Sequence, residues 1–284
     1  MSFPQQTLQL DESAIRIYLF DEVYPARAAE EQAEKKKLSA FGMLAKFNPL
    51  NRPRDDTVLL SRKEFRLEPF WHVTSTRSVD YTTQMTYPVP VHNPYAHKVE
   101  LNGEQYEVTR QGDKARIDLA VTEMCHRKMA FDQFSDGLGR DIKPGTLDGY
   151  RTKYKFSEVE QIEREELIKP TVPQQAALLA ASTALNGNSI NAHHIQSDAI
   201  VVERLHLYWR PVFAFEFIWS TADKRGVIEV NGLTGEVSEN GQWFKDKLSK
   251  VMTREMLLDA GCELAGAVVP GGGIAVKIIG KLTE

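Results

Sequence analysis

Phe65-Arg66-Leu67-Glu68-Pro69-Phe70-Trp71-His72-Val73 has an echo far along the chain in Leu207-Tyr208-Trp209-Arg210-Pro211-Val212-Phe213-Ala214-Phe215. Both stretches set a proline inside a run of aromatic and aliphatic residues, the composition of β-strands. Each is followed, across a polar gap, by a second β-rich run and an Asn-Gly turn, Asn102-Gly103 after the first and Asn231-Gly232 after the second. A strand that recurs together with its turn predicts an internal duplication of one small α+β unit. Proline cannot donate to a sheet ladder, so Pro69, Pro88 and Pro90 are expected at strand starts, bulges or an exposed edge. Pro211 is expected to be the counterpart of Pro69.

Working outward, Ile15, Leu19 and Val23 recur at helical spacing after Ser13, a residue suited to cap a helix, which predicts a first helix over residues 11–27. The run AAEEQAEKKK, residues 28–37, reads as a solvated helical surface. Prolines and asparagines make residues 38–56 a long irregular connection. Strands are expected at residues 58–60, 65–76, 81–91 and 117–121, with a hairpin over 98–110 and a short helix over 123–134. Pro144-Gly145 and Asp148-Gly149 mark a turn-rich bridge between two halves. Beyond it, Ser157 with Glu160 predicts a capped helix through Ile168, Ala176 to Leu185 a buried helix, and residues 199–207, 212–220 and 226–230 three strands.

The helix followed by antiparallel strands in the second half carries Arg210-Pro211-Val212-Phe213-Ala214-Phe215-Glu216-Phe217 and then Val230-Asn231-Gly232-Leu233-Thr234-Gly235-Glu236-Val237. Over about residues 171–238 this resembles the PepSY and wider cystatin-like family. The first half looks like a divergent copy with a long insertion. The resemblance implies a binding or inhibitory module without catalytic residues. Such domains are mostly found outside the cytoplasm, whereas the polar start Met1 to Leu10 lacks both the basic opening and the apolar core of a secretory signal. The expected compartment is therefore the cytoplasm, with Cys125 and Cys262 as reduced thiols.

A chain of 284 residues, 42% hydrophobic and 26% charged, is long enough for two domains with full cores. Its net charge of −4 does not supply the concentrated basic face that phosphate neutralisation needs, so nucleic acid is not expected as a partner. The candidate metal ligands are His193 and His194, with Asp198, Glu203 and His206 nearby. Adjacent histidines on an extended segment point to opposite faces, and no HxxxH or CxxC spacing supports them, so they read as a solvated loop. Cys125-His126 diverge on either a helix or a strand and read as structural. Asp132 to Gly137 is no calcium loop, because Phe134 occupies a ligand position and Lys143 stands where the bidentate glutamate belongs. Gly271-Gly272-Gly273 lacks the wording of a phosphate loop and reads as a flexible break.

Near the end, Met256, Leu257, Leu264 and Val268 follow helical spacing, and Ile274 and Ile278 resume after the glycines. The expected fold class is thus α+β, with two related helix-plus-antiparallel-meander, cystatin-like units over residues 1–140 and 155–250. A hydrophobic C-terminal segment occupies residues 251–284. The expected function is non-catalytic binding, as an intracellular adaptor or scaffold without a cofactor. Met256, Leu257, Leu264, Val268, Ile274 and Ile278 would offer an apolar surface to another protein or a second copy, with a membrane surface as the less favoured contact. The alternative is a metal-dependent hydrolase around His193, His194 and His206.

Overall fold

The computed structural model describes residues 6–42, 45, 52–239, 241–245, 247, 248, 251–257 and 275–279. Three strands of unusual length organise it: β3 (Val58–Pro90), β7 (Lys114–Asp136) and β10 (His194–Trp219). The separate strands read from the sequence fuse into these, because the prolines and polar residues between them are accommodated without ending the ladder. β3 lies antiparallel to β10 from Val58↔Trp219 to Thr82↔His194 and antiparallel to β7 from Phe70↔Asp136 to Pro90↔Arg116. Register shifts at Ser61, Gln196 and Glu203 insert a residue into one strand, which raises the local twist and lets strands of this length coil over a core.

The other edge of β10 is shared by three partners in succession. β1 (Thr7–Asp11) and β2 (Ile15–Phe20) lie parallel to it, and β11 (Lys224–Asn231) pairs antiparallel with its C-terminal part. Outside them lie β14 (Ala275–Ile279) on β1, β8 (Phe156–Val159) on β2 and β12 (Val237–Ser238) on β11. With β6 (Thr109–Gln111) on β7, this makes one mixed sheet of ten strands. Two small ladders stand apart: the hairpin of β4 (Lys98–Leu101) and β5 (Glu104–Glu107), and β9 (Gln161–Glu163) with β13 (Val251–Thr253). Asn102 and Gly103 carry the left-handed backbone that the tight β4–β5 turn requires.

Three α-helices are described: α1 (Ala26–Lys36), α2 (Pro144–Lys153) and α3 (Gln174–Asn186). One face of the sheet is apolar. Leu67, Trp71, Val73, Leu205, Leu207 and Trp209 meet Ala177, Leu178, Ala181 and Leu185 of α3 there, and further along Phe213, Phe215, Phe217 and Trp219 meet Ala29 and Ala33 of α1. The extra residue at Glu203 reverses the alternation, so Val202 and Ile200 join the odd-numbered residues of β10 on this face. α2 covers part of the opposite face, where Leu147 and Tyr150 pack with Phe20, Phe70, Phe134 and Tyr208.

The expected pair of helix-plus-meander units is therefore overturned. Strands from both sides of the bridge at residues 141–154 share one sheet, and the two look-alike stretches are antiparallel neighbours within it. The helix expected over residues 11–27 is instead the end of β1, a short 3-10 turn capped by Asp11, strand β2 and the start of α1. Ile15 and Ile17 are fully buried in alternation, which suits a strand laid against β10. Residues 123–134 belong to β7, and residues 156–163 form β8 and β9, because side-chain alternation toward a sheet outweighs local helical spacing and capping signals. The helices of residues 26–36 and 174–186 lie where the sequence places them, and the bridge holds α2.

Candidate functional site

β3 and β7 run on together beyond Thr82, where β10 has ended, and project as a two-stranded arm. Alternation gives the arm two unlike faces. Asp80, Thr82, Gln84, Thr86 and Lys128 lie on one, with Met124 the one large apolar side chain among these residues. Tyr81, Met85, Tyr87, Val89, Leu119 and Val121 lie on the other, which continues the apolar face of the body past the end of α3. Within the body that face is sealed: Val79 is 0% exposed. Along the arm, Met85 is 49%, Tyr87 46% and Val89 37% exposed. Glu123 accepts hydrogen bonds from Tyr87 and Thr83 and fixes the Tyr87 ring over the ribbon.

The polar face of the body holds a second feature, centred on the two prolines. Trp209↔Pro69 and Leu67↔Pro211 are the ladder pairs on either side of Glu68↔Arg210, so a local two-fold axis runs through the Glu68–Arg210 pair. Each proline's missing N–H would point past the end of a neighbouring strand. The carbonyl of Pro69 accepts from Gly137 as β7 ends, and that of Pro211 accepts from Gly232 as β11 ends. A side chain on either glycine would meet the proline closely, with Pro69 Oand Cγ at 2.7 and 2.9 Å and Pro211 Cβ and O at 2.7 and 2.8 Å. Asp136 and Asn231 close equivalent turns, accepting from the backbone of Leu138 at 3.2 Å and Leu233 at 2.9 Å. The two stretches therefore match locally, about one axis in one sheet.

Glu68 lies on that axis, fully buried, within 2.6–2.8 Å of three guanidiniums: Arg66 at 2.8 Å, Arg140 at 2.6 Å and Arg210 at 2.7 Å. Asp136 holds Arg140 from its other side at 2.9 Å, and Glu229 holds Arg66 at 2.5 Å. Burial pushes the Glu68 carboxyl up, but Arg210, Arg66 and Arg140 together outweigh it and bring its pKa down to about 2. Phe244 lies against Arg66, its ring centroid 4.8 Å away.

Further along the same face, His72 and His206 are cross-strand partners with ring centroids 5.8 Å apart. His72 stacks on Phe134 at 3.9 Å, and its Nε2 lies 2.7 Å from Asp132. Burial lowers the pKa of both rings. For His72 the Asp132 contact opposes it, whereas neighbouring His72, Arg204, Arg16 and Arg151 reinforce it for His206, which falls to about 4. Tyr18 stacks on Tyr208 at 4.7 Å and meets His206 edge-on at 5.1 Å.

The candidate metal ligands of the alternative reading disperse. His193 and His194 are exposed at the start of β10, Asp198 is engaged by Arg77 at 2.7 Å on the α3 side, Glu203 accepts from Thr76 at 2.6 Å, and His206 lies on the polar face. Among the described residues no three histidine, cysteine or acidic side chains converge. Cys125 and His126 lie on opposite faces of β7, with His126 2.7 Å from Asp80. Of the C-terminal contact residues, Met256 is exposed and Leu257 is 5% exposed within the core. Ile278 is the ladder partner of Leu10 in β14, whereas Leu264, Val268, Ile274 and the Gly271-Gly272-Gly273 break lie outside the described residues. No helix among the described residues is long and apolar enough to cross a membrane. Sequence reading missed the ion cluster and the histidine pair, since Glu68 and Arg210 are 142 positions apart. The chain matches no family model, no curated protein and no solved structure.

Proposed function

We propose that this chain is a non-catalytic binding protein, an adaptor or scaffold, that holds a protein partner on the apolar face of the β3–β7 arm. The observation that supports this reading is the exposure of Met85, Tyr87 and Val89 on a face whose continuation in the body is buried. Two-stranded ribbons gain little stability alone in water, and large apolar side chains gathered on one of their faces are characteristic of contact surfaces. Tyrosine and methionine suit that role, offering large apolar area at modest entropic cost with a polar handle or a pliable thioether. The C-terminal segment, first in line from the sequence, retains Met256 as an exposed described residue, while Leu257 serves the core.

A photoreactive residue placed at position 87 in the native host tests the reading, with position 86 on the opposite face as the control. A defined protein cross-linked from 87 and not from 86 supports it. Equal yields from both faces, or none from either, would overturn it.

A further inference from the structure

β7 is bonded on one side only over most of its length. Its ladder with β3 runs from Phe70↔Asp136 to Pro90↔Arg116 without a register shift, and β6 meets its other side at Lys114 to Arg116 alone. At the two ends of the β3 ladder Val91 donates to the Ala115 carbonyl and Gly137 to that of Pro69, so the odd-numbered residues of β7 bond inward. The even-numbered residues from Asp118 to Asp132 therefore aim their N–H and C=O groups outward. All of them are exposed, and among the described residues no backbone group pairs with that side. Proteins blunt such an edge with proline, bulges or clustered lysine. Between Ile117 and Gln133 there is no proline, glycine or bulge, and Lys128 is the one lysine. The edge is left open to another strand.

The order of side chains along the edge selects the strand that fits. A two-fold axis perpendicular to the sheet at Cys125 brings Glu123 opposite Arg127, Val121 opposite Met129 and Leu119 opposite Phe131 of a second copy, each pair occurring twice. Met129 and Phe131 are half-buried against the core that α3 covers, and Leu119 and Val121 extend that apolar row. Moving the axis by one residue sets Val121 against Arg127 or Glu123 against Met129, and moving it by two sets Glu123 or Arg127 against itself. The like-charge pair that remains, Asp118 with Asp132, falls on the polar face, where Arg116 holds the first at 3.2 Å and His72 the second at 2.7 Å. We infer that β7 pairs antiparallel with β7 of a second copy about Cys125, joining the two sheets into one. The inference rests on the edge of the arm and not on the exposure of Met85, Tyr87 and Val89, so it and the proposed partner contact can fail separately.

Sedimentation of the full chain and oxidation by diamide test it. Cys125 falls at a pair without ladder hydrogen bonds, where Cα atoms about 4.5 Å apart allow a disulfide. In a Cys262→Ser background, diamide should take up two hydrogens, with their electrons, from two Cys125 thiols and leave a covalent dimer. Sedimentation should show a dimer that forms with rising concentration. Met124→Pro removes an outward N–H while leaving the bonds to β3, so it should dissociate that dimer. Arg127→Glu should weaken it about tenfold, and adding Glu123→Arg should restore it. If Met124→Pro does not fold, the charge exchange decides. A chain that stays monomeric at millimolar concentration, a dimer that neither substitution weakens, or one without the Cys125 cross-link would overturn the inference. A monomer whose Thr122, Met124 and His126 amides resist hydrogen exchange would place a different segment on the edge and overturn it as well.

Discussion

Leu67, Trp71, Leu207 and Trp209 point to one side of the β3–β10 pair, while Glu68, Phe70, His72, His206, Tyr208 and Arg210 point to the other. The backbone is the same and the burial is similar, yet the chemistry is opposite. The first side is held by apolar area removed from water and shaped by α3. The second stores six buried or half-buried charges, Glu68 and the five about it, and two histidines with lowered pKa values, arrangements that are stable only while every partner stays in place. A face built from area tolerates repacking, whereas a face built from matched charges fails when one member is removed.

The sharpest way to break the contrast is Glu68→Ala, which strands three guanidiniums in the interior. It should lower the stability of the folded chain by about 3–5 kcal/mol in chemical denaturation. Leu207→Ala on the apolar face should lose about 3 kcal/mol, with the cavity partly closed by its neighbours. If Leu207→Ala proves the costlier, the charged face is less interdependent than its geometry indicates.

The histidines offer a finer probe. The His206 pKa is about 4 in the folded chain and 6.5 in the unfolded one, so the neutral ring is the form the fold prefers. Its contribution is fully present above pH 6.5 and is lost as pH falls from 6.5 toward 4, where the unfolded chain binds the proton and the folded chain does not. His206→Phe should flatten the stability profile across that window while keeping the aromatic contacts to Tyr18 and Tyr208. Below it the Glu68 carboxylate, with its pKa lowered to about 2, adds a separate loss between pH 4.5 and 2 that the variant leaves untouched.

The smallest effect should come from the arm. Met85→Ser, Tyr87→Ser and Val89→Ser each should change stability by no more than about 1 kcal/mol, because these side chains are already about half in water and lose mainly strand propensity. A melting transition displaced as far as that of Leu207→Ala would mean that they are covered within the folded chain, and the apolar face of the arm would then belong to the core.

What the sequence determined by itself was local. Aromatic and β-branched runs gave strands, Asn102-Gly103 gave a hairpin turn, and the helices of residues 26–36 and 174–186 were legible, because propensity and turn chemistry act within a few residues. Only the tertiary structure decided that Pro69 and Pro211 lie side by side in one sheet, that Ile15 and Ile17 belong to a strand, and that Glu68 meets Arg66, Arg140 and Arg210. Those outcomes depend on which distant strand supplies the missing hydrogen bonds and opposite charges. Side chains that become neighbours only through long-range pairing leave no spacing in the sequence from which to read it.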